Sequence, residues 1–399
     1  MKEILETFGK IPLSSPAPGL VECLPEQQQQ SGDHLKLPPL FDPVYALQSL
    51  PECVVVSADS IKGISDAIQD ELLSSSSSDI VQTGLREAPR ASLAIHGLVP
   101  GMFKGQPNPA MGNRAEKVAE SLSKSLKKGY GAARNQRLDD DSAESSSDAT
   151  HKERWLLQVL LFAPNLAAAS LVQCQSLTTT HYWPNWHLPA GMAKVDITDR
   201  TMPSSAYRKL MEALECLRIR PHPSTTAFVV DLGACPGGWT SVLRCNLDCK
   251  VLAIDRSPLD PALMNDSQVE FIKGDAFTFE PPPNHSKQRE VWMVSDVIAY
   301  PDRILELIER WCGGRWATHL VVTMKFQGTE PSFVDLQTSI DLAKSLGYDC
   351  RAKHFFNNKN EVTLMLIQNQ QEGDWNAASY PLQPEVLGTA MYKALLPNR

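Results

Sequence analysis

No stretch of the sequence approaches the roughly 18 uninterrupted apolar residues that a membrane-spanning helix needs. The most apolar run, Trp155 to Ala163, is broken by Gln158 and followed by Pro164. No membrane partner is expected. The nine cysteines are an odd number scattered from Cys23 to Cys350. Only Cys245 and Cys249 lie close together, in a C-x-x-x-C spacing without a second pair or a nearby histidine, which argues against a disulfide framework or a structural zinc and for a reducing compartment. No metal site is expected. Basic residues are not in excess: 38 Lys and Arg against 46 Asp and Glu leave a net charge of −8. Any polyanion must therefore be met by a local basic surface. The opening residues, Met1 to Pro16, carry acidic side chains and lack a basic segment followed by a long apolar one. A secretory signal and an Arg-rich transit peptide are not expected, and the reading is cytoplasmic or nuclear, with an organelle left open. No internal repeat is visible.

What is present is enough for a sizeable core. The 399 residues are 42% hydrophobic and 21% charged, which suggests two or three folded units. Residues 1–37 are polar and contain the run Gln27 to Gln30, so they are expected to be disordered. Residues 38–190 form an N-terminal region of α+β type. Cys53 to Ser57 reads as a strand, Ser60 to Leu73 as a helix, and Ser74 to Ser78 as a break. In Asn113 to Lys128, Val118, Leu122 and Leu126 recur at helical spacing. Arg114, Lys117, Lys124, Lys127 and Lys128 lie on its other faces, as a solvated surface or a phosphate clamp. Residues 138–150 are an acidic, serine-rich insertion. Trp155 to Phe162 reads as a buried strand. Tyr182, Trp183 and Trp186 follow in a Pro-containing connection, as core packing or as a stacking platform for bases.

From Ser224 the pattern changes to short apolar runs separated by helical segments. Strands are expected at Ala227 to Val230, Val251 to Ile254, Val269 to Ile272, Val291 to Val294 and Leu320 to Met324, with helices at Asp302 to Cys312 and Ser332 to Leu346. This alternation calls for a mostly parallel sheet covered on both faces. Cys350 to Phe355 and Glu361 to Ile367 are joined only by Asn357 to Asn360, so the sheet should end in an antiparallel hairpin. This unit covers residues 200–370, and 371–399 form a C-terminal tail.

The sharpest signal is Val229-Val230-Asp231-Leu232-Gly233-Ala234-Cys235-Pro236-Gly237-Gly238-Trp239-Thr240, an apolar strand running into a glycine-rich turn and a helix. Glycine serves where the backbone takes positive φ or approaches a ligand closely, as at Gly233, Gly237 and Gly238. In doubly wound sheets ligands bind beyond the carboxyl ends of the strands, where this turn falls. Asp255, after the next strand, stands where a carboxylate can accept both hydroxyls of a ribose. Asp275, in Gly274-Asp275-Ala276 after the third, suits an adenine edge. The dinucleotide spacing G-x-G-x-x-G is missing.

The combination resembles motif I and the acidic residues after it in the FtsJ-type, S-adenosylmethionine-dependent ribose 2'-O-methyltransferases. The resemblance implies an α/β, Rossmann-like methyltransferase fold and S-adenosyl-L-methionine as cofactor, held by Asp231, Gly233, Pro236, Gly237, Gly238, Trp239, Asp255, Asp275 and Asp296. These enzymes use a Lys-Asp-Lys-Glu tetrad, and four stretches match its settings, which implies Lys209, Asp296, Lys325 and Glu361 as catalytic residues. Each lies at a predicted strand end or in a helix before the first strand. A ribose hydroxyl is a poor nucleophile while a sulfonium methyl is an excellent electrophile, so the enzyme's main work is to place the hydroxyl and remove its proton. A lysine with a neighbouring cation suits that task.

Trp183 to Lys209, including the pattern P-S-x-x-x-x-K-L-x-E-A, and the hairpin Asn357 to Met365 resemble the RlmM branch, bacterial enzymes that methylate a cytidine ribose of large-subunit ribosomal RNA. There a THUMP-containing region binds RNA, and residues 38–190 would take its place. Motif IV departs from the FtsJ pattern, reading Ser295-Asp296-Val297-Ile298-Ala299-Tyr300-Pro301. The resemblance implies an RNA partner, ribosomal RNA by that branch. Two alternatives stay open: an RNA-binding or scaffolding protein that no longer turns over, and methyl transfer to a non-RNA acceptor.

Overall fold

The structure, a computed structural model, describes residues 13–14, 22–23, 50, 53–73, 92–99, 109–130, 154–174, 195, 201–217, 219–283, 290–326 and 332–369. Nearly all of residues 1–37, the 138–150 insertion, the aromatic cluster Tyr182, Trp183 and Trp186, and the tail from 371 lie outside the described residues. The chain divides into two compact units, Met1–Met192 and Ala193–Arg399.

In the first unit, β1 (Leu13–Ser14) and β2 (Glu22–Cys23) form a two-residue antiparallel pair. The larger sheet takes β3 (Val54–Ser57), β4 (Ser92–Leu98), β5 (Arg154–Ala163) and β6 (Leu166–Cys174) in the order β3-β6-β5-β4, with β4 and β5 parallel. Helices α1 (Ile61–Leu73) and α2 (Pro109–Tyr130) bury Ile64, Ile68, Val118 and Leu122 in one core with Leu157, Val159, Leu161, Ala167 and Ala169. The strand residues in that core alternate along β5 and β6, as one face of a pleated sheet must. Arg114, in the basic helix, donates to the carbonyls of Pro164 at 2.6 Å and Asp59 at 3.0 Å, so it staples the β5–β6 turn. Lys117 and Lys124 are exposed.

The second unit opens with α3 (Tyr207–Leu217), whose Tyr207, Leu210, Met211, Leu214 and Leu217 recur at helical spacing and are buried. Seven strands follow: β7 (Thr226–Leu232), β8 (Val251–Asp255), β9 (Val269–Lys273), β10 (Glu290–Ser295), β11 (His319–Lys325), β12 (Tyr348–Lys353) and β13 (Glu361–Gln368). Their order is β12-β13-β11-β10-β7-β8-β9. From β11 to β9 all neighbours are parallel, whereas β13 runs antiparallel to both β11 and β12. Between the strands lie α4 (Gly238–Ser241, continued by a π-helical turn over Val242–Asn246), α5 (Pro261–Met264), α6 (Pro301–Gly313) and α7 (Phe333–Ser345). The central strands read as continuous apolar runs because both their faces are covered, and β10 is buried along its whole length. Pro301 at the first helical position and Asp302 in the first turn start α6, while Ser332 caps α7 by accepting from the Asp335 amide at 3.3 Å.

The chain proceeds from β7 outward to β9, then returns to place β10 on the other side of β7. That reversal is the topological switch point, where a crevice opens at the strands' carboxyl ends. Ser295 stands beside Leu232 in the ladder and its hydroxyl donates to the Leu232 carbonyl at 3.1 Å, so the two strand ends are tied together there. Among the described residues no helix is long and apolar enough to cross a membrane.

Candidate active site

The glycine-rich turn after β7 owes its shape to two different demands. Gly233 (φ 74°) and Gly237 (φ 114°) take left-handed backbone conformations that strain other residues. Gly238 has another reason: a Cβ there would stand 2.3 Å from Ser204 Oγ and 3.4 Å from the Tyr207 amide, so its bare backbone lets the start of α3 approach. The Trp239 indole donates to the Ala206 carbonyl at 2.8 Å, fixing that approach from the other side. Gly237 faces the Leu263 side chain, 2.3 Å from an added Cβ, rather than the crevice. The steric demand at that position therefore comes from α5.

The crevice is a cleft of about 500 Å³, within the usual size of small-molecule sites. Of the expected cofactor residues, Asp231, Gly233, Pro236, Gly238, Trp239, Asp255, Asp275 and Asp296 all line it, and Lys325 closes its other end. Sequence reasoning assigned no role to Ser204, Arg256, Phe277 or Ile298, which line it too. Each sits within two residues of a named position or in the Ser204 to Lys209 stretch, which is the signal that points to them.

The four aspartates are held differently. Asp255 accepts from the Cys235 amide at 3.0 Å and from the Ser257 amide at 2.8 Å, one per oxygen, so each oxygen keeps a second lone pair for a ligand. Asp275 accepts from the Phe277 amide at 2.9 Å and from Arg256 at 2.6 Å; these two donors hold its carboxyl below the usual range. Asp231 is buried and accepts from the Thr240 hydroxyl at 2.6 Å. Burial above all, with lesser repulsion from Asp296 and Asp255, pushes its pKa up to about 7. A cleft walled by four carboxylates suits a ligand carrying positive charge and repels the pyrophosphate of a dinucleotide. The residues present thus fit a cofactor with a sulfonium, an ammonium and a ribose.

Beyond that cleft the four tetrad residues converge. Lys209 Nζ lies 2.6 Å from Asp296 Oδ1 and 3.0 Å from Glu361 Oε1. Lys325 Nζ lies 3.2 Å from the same Asp296 oxygen and donates to the Asp296 carbonyl at 2.8 Å. Four elements deliver them: α3, the end of β10, the end of β11 and the start of β13. Because β13 is antiparallel to β11, its first residue pairs with the last residue of β11, setting Glu361 beside Lys325. The set is graded in depth. Lys209 and Glu361 have side chains 9% exposed, while Asp296 is 16% and Lys325 22% exposed. Of the two lysines, Lys325 lines the cleft and Lys209 does not.

The model of the FtsJ-like methyltransferase family matches residues 202–345, which run from the segment before α3 to the last residue of α7. The fold is the α/β methyltransferase fold that the resemblance implied. Curated relatives bear the name ribosomal RNA large subunit methyltransferase M. That of Halorhodospira halophila is 35% identical over 180 residues, 44% of this chain and 50% of that protein. That of Shewanella pealeana is 39% identical over 144 residues, 34% of this chain and 38% of that protein. The chain spans about half the length, or less, of these relatives. Among solved structures, human methyltransferase-like protein 13 in complex with SAH aligns over 48% of this chain and 93% of that one, at 11% identity and a TM-score of 0.32.

Proposed function

We propose that the protein is an S-adenosylmethionine-dependent RNA ribose 2'-O-methyltransferase acting on ribosomal RNA. The observation that carries this reading is the cleft-lining lysine, Lys325, sharing the Asp296 carboxylate with the buried Lys209–Glu361 pair. Asp231, Asp255 and Asp275, with the turn from Gly233 to Trp239, would hold the cofactor, which supplies an electrophilic methyl group. Asp255 would take the ribose hydroxyls and Asp275 or its neighbours the adenine edge. At the other end, the neutral amine of Lys325 would accept the proton of the acceptor hydroxyl while Asp296 fixes that amine in place. Lys209, itself fixed by two carboxylates, holds the Asp296 carboxylate from behind. With Lys325 neutral, Lys209, Asp296 and Glu361 would leave the tetrad one net negative charge, which favours the arrival of the proton and is cancelled by it.

The first unit we infer to bind the RNA substrate, in the place of a THUMP-containing region. The net charge of −8 leaves phosphate contact to local patches, and Lys117 and Lys124 are exposed seven residues apart on α2, on the same side of the helix. Changing Lys124 to Ala in the full chain should flatten the salt dependence of RNA binding by about 0.7 to 0.9 log unit.

The test of the main reading is to incubate the protein with labelled S-adenosylmethionine and total RNA, digest the RNA, and identify the labelled nucleoside. A 2'-O-methylated nucleoside is expected. Label on a base, or no label in RNA, overturns the acceptor assignment.

A further inference from the structure

Helix α3 carries two buried carboxylates that the tetrad does not include, Glu212 and Glu215. Glu212 lies three residues after Lys209 and is 3% exposed. Its Oε2 accepts from the Asn357 backbone amide at 3.0 Å, in the turn between β12 and β13. The Phe356 amide and the Asn357 side chain also favour the ionised form of this carboxylate. Four residues further along α3, the Cys216 carbonyl accepts from Arg351 on β12 at 3.1 Å. Residues 209, 212 and 216 are spaced i, i+3 and i+7, so they form one line along the helix. That line meets β13 at Glu361, the turn at Asn357, and β12 at Arg351.

The turn behaves as one piece with the strands it joins. Asn358 Oδ1 accepts from the Phe355 amide at 2.7 Å, and its Nδ2 donates to the Thr363 hydroxyl at 3.3 Å. Asn360 accepts from the Phe326 amide at 3.1 Å through its backbone carbonyl and donates to the Phe326 carbonyl at 3.3 Å through its side chain. Phe326 follows Lys325 directly. A displacement of the turn is therefore passed to Glu361 on one side and to Lys325 on the other. Burial pushes the Glu212 pKa up to about 7 against the pull of the turn's donors, so the carboxylate depends on those donors as much as they depend on it.

We propose that Glu212 is a positioning residue: by holding the turn over residues 355–358 it sets β13 against α3, so that Glu361 meets Lys209 and Lys209 meets Asp296. This rests on the proposed methyl transfer only for its effect on rate. Glu212 does not line the cofactor cleft, so its action on the cofactor should be nil.

The experiment compares the full chain with its Glu212→Ala and Glu212→Gln variants by amide hydrogen exchange and by methyl-transfer kinetics on total RNA. In Glu212→Ala, exchange over residues 355–361 should quicken about tenfold or more, since buried donors lose their acceptor. Its kcat should fall about tenfold with the cofactor Kd unchanged. Glu212→Gln keeps a carbonyl acceptor and nearly the same volume, so it should restore both to within about threefold of the original. Unaltered exchange over 355–361 in the Ala variant overturns the clamp, whatever the reaction. Quickened exchange with an unaltered kcat overturns its positioning role. If Glu212→Ala does not fold, a folded Gln variant as slow as Glu361→Ala overturns it. Absence of RNA methylation by the unaltered chain counts against the proposed function instead, and the exchange measurement still decides the clamp.

Discussion

Lys325 and Lys209 share one carboxylate, yet the same substitution should do different things to each. Lys325 lines the cleft and is the more exposed. Lys325→Ala should lower kcat about a hundredfold, the low end of what a lost general base costs, with cofactor affinity little changed. Lys325→Arg should fail as well, because guanidinium does not give up its proton near neutral pH. An Arg variant with near-original turnover, measured on RNA under saturating cofactor, would mean that charge and geometry alone suffice. Lys209 is buried between Asp296 and Glu361. Lys209→Met strands Glu361 and leaves Asp296 to Lys325 alone, and breaking a buried pair in this way costs roughly 3 to 5 kcal/mol. A denaturant midpoint equal to that of the original chain would contradict it. At the cofactor end, Asp255→Ala removes the carboxylate proposed to take the ribose hydroxyls, together with its bonds from the Cys235 amide of the glycine-rich turn and the Ser257 amide after β8. Affinity for S-adenosylmethionine should drop about tenfold or more by calorimetry.

The loop from β10 into α6 connects Asp296 to open surface. Val297 packs against Gly233 at the distances a Cβ there would violate, which locks the root of the loop. Past it, Ile298 is 89% and Tyr300 59% exposed. Under the proposed function, an acceptor base stacked on the Tyr300 ring would gain about 1 to 3 kcal/mol. Tyr300→Ala should thus raise the KM for RNA by about tenfold while leaving cofactor affinity alone; an unchanged KM would remove this loop from the acceptor surface. The elements themselves were unevenly legible in the sequence. Strands β7, β8, β10 and β11 announce themselves because burial leaves short Val- and Leu-rich runs between helices, whereas the half-exposed edge strand β9 shows only the mixed run Val269-Glu270-Phe271-Ile272. The antiparallel hairpin follows from the short link of Asn357 to Asn360. Strand β6 escaped notice because Leu166-Ala167-Ala168-Ala169 has little intrinsic strand preference; its pairing with β5 decides the matter. Strand β4 was missed as well. The tetrad was readable through the family resemblance; the structure brings it together from parallel strand ends at Asp296 and Lys325, the start of antiparallel β13 at Glu361, and α3 at Lys209. The role of Glu212 was not, since its donor lies 145 residues away and a helical glutamate looks like any other until that partner is known.

Taken as a whole, the second unit holds ionisable groups that respond to pH in opposite senses. Asp231 and Glu212 have pKa values pushed up to about 7 by burial. Between about pH 4 and 7 the folded chain therefore holds protons that the unfolded chain has released, so these groups cost stability as pH rises through that window. Burial pushes His319, stacked on Trp292 at 4.3 Å, down to about 3. It stays neutral when folded and takes a proton when unfolded below about 6.5, so it costs stability as pH falls. The two trends offset one another between about 4 and 6.5. Above that only the carboxylates act, and each should take on the order of 1 kcal/mol from stability between pH 6.5 and 8. Melting of the cofactor-free protein should accordingly shift down over that range, and Asp231→Asn should flatten the shift. A parallel pH dependence in the Asn variant would show that Asp231 is ionised throughout.

The antiparallel course of β13 also bears on how the protein is made. Every residue lining the cofactor cleft lies between Ser204 and Lys325, whereas the tetrad is completed from residue 361. On a ribosome synthesising the chain, the cofactor pocket can be assembled before the group that finishes the catalytic set has been polymerised. Until Val362, Leu364 and Leu366 arrive to pair with it, β11 presents a seven-residue unpaired edge, the kind of edge that invites association with other chains. One late strand therefore ends two dangers of the growing polypeptide together: it covers that edge, and it withholds a finished catalytic centre until the sheet can no longer pair with a stranger.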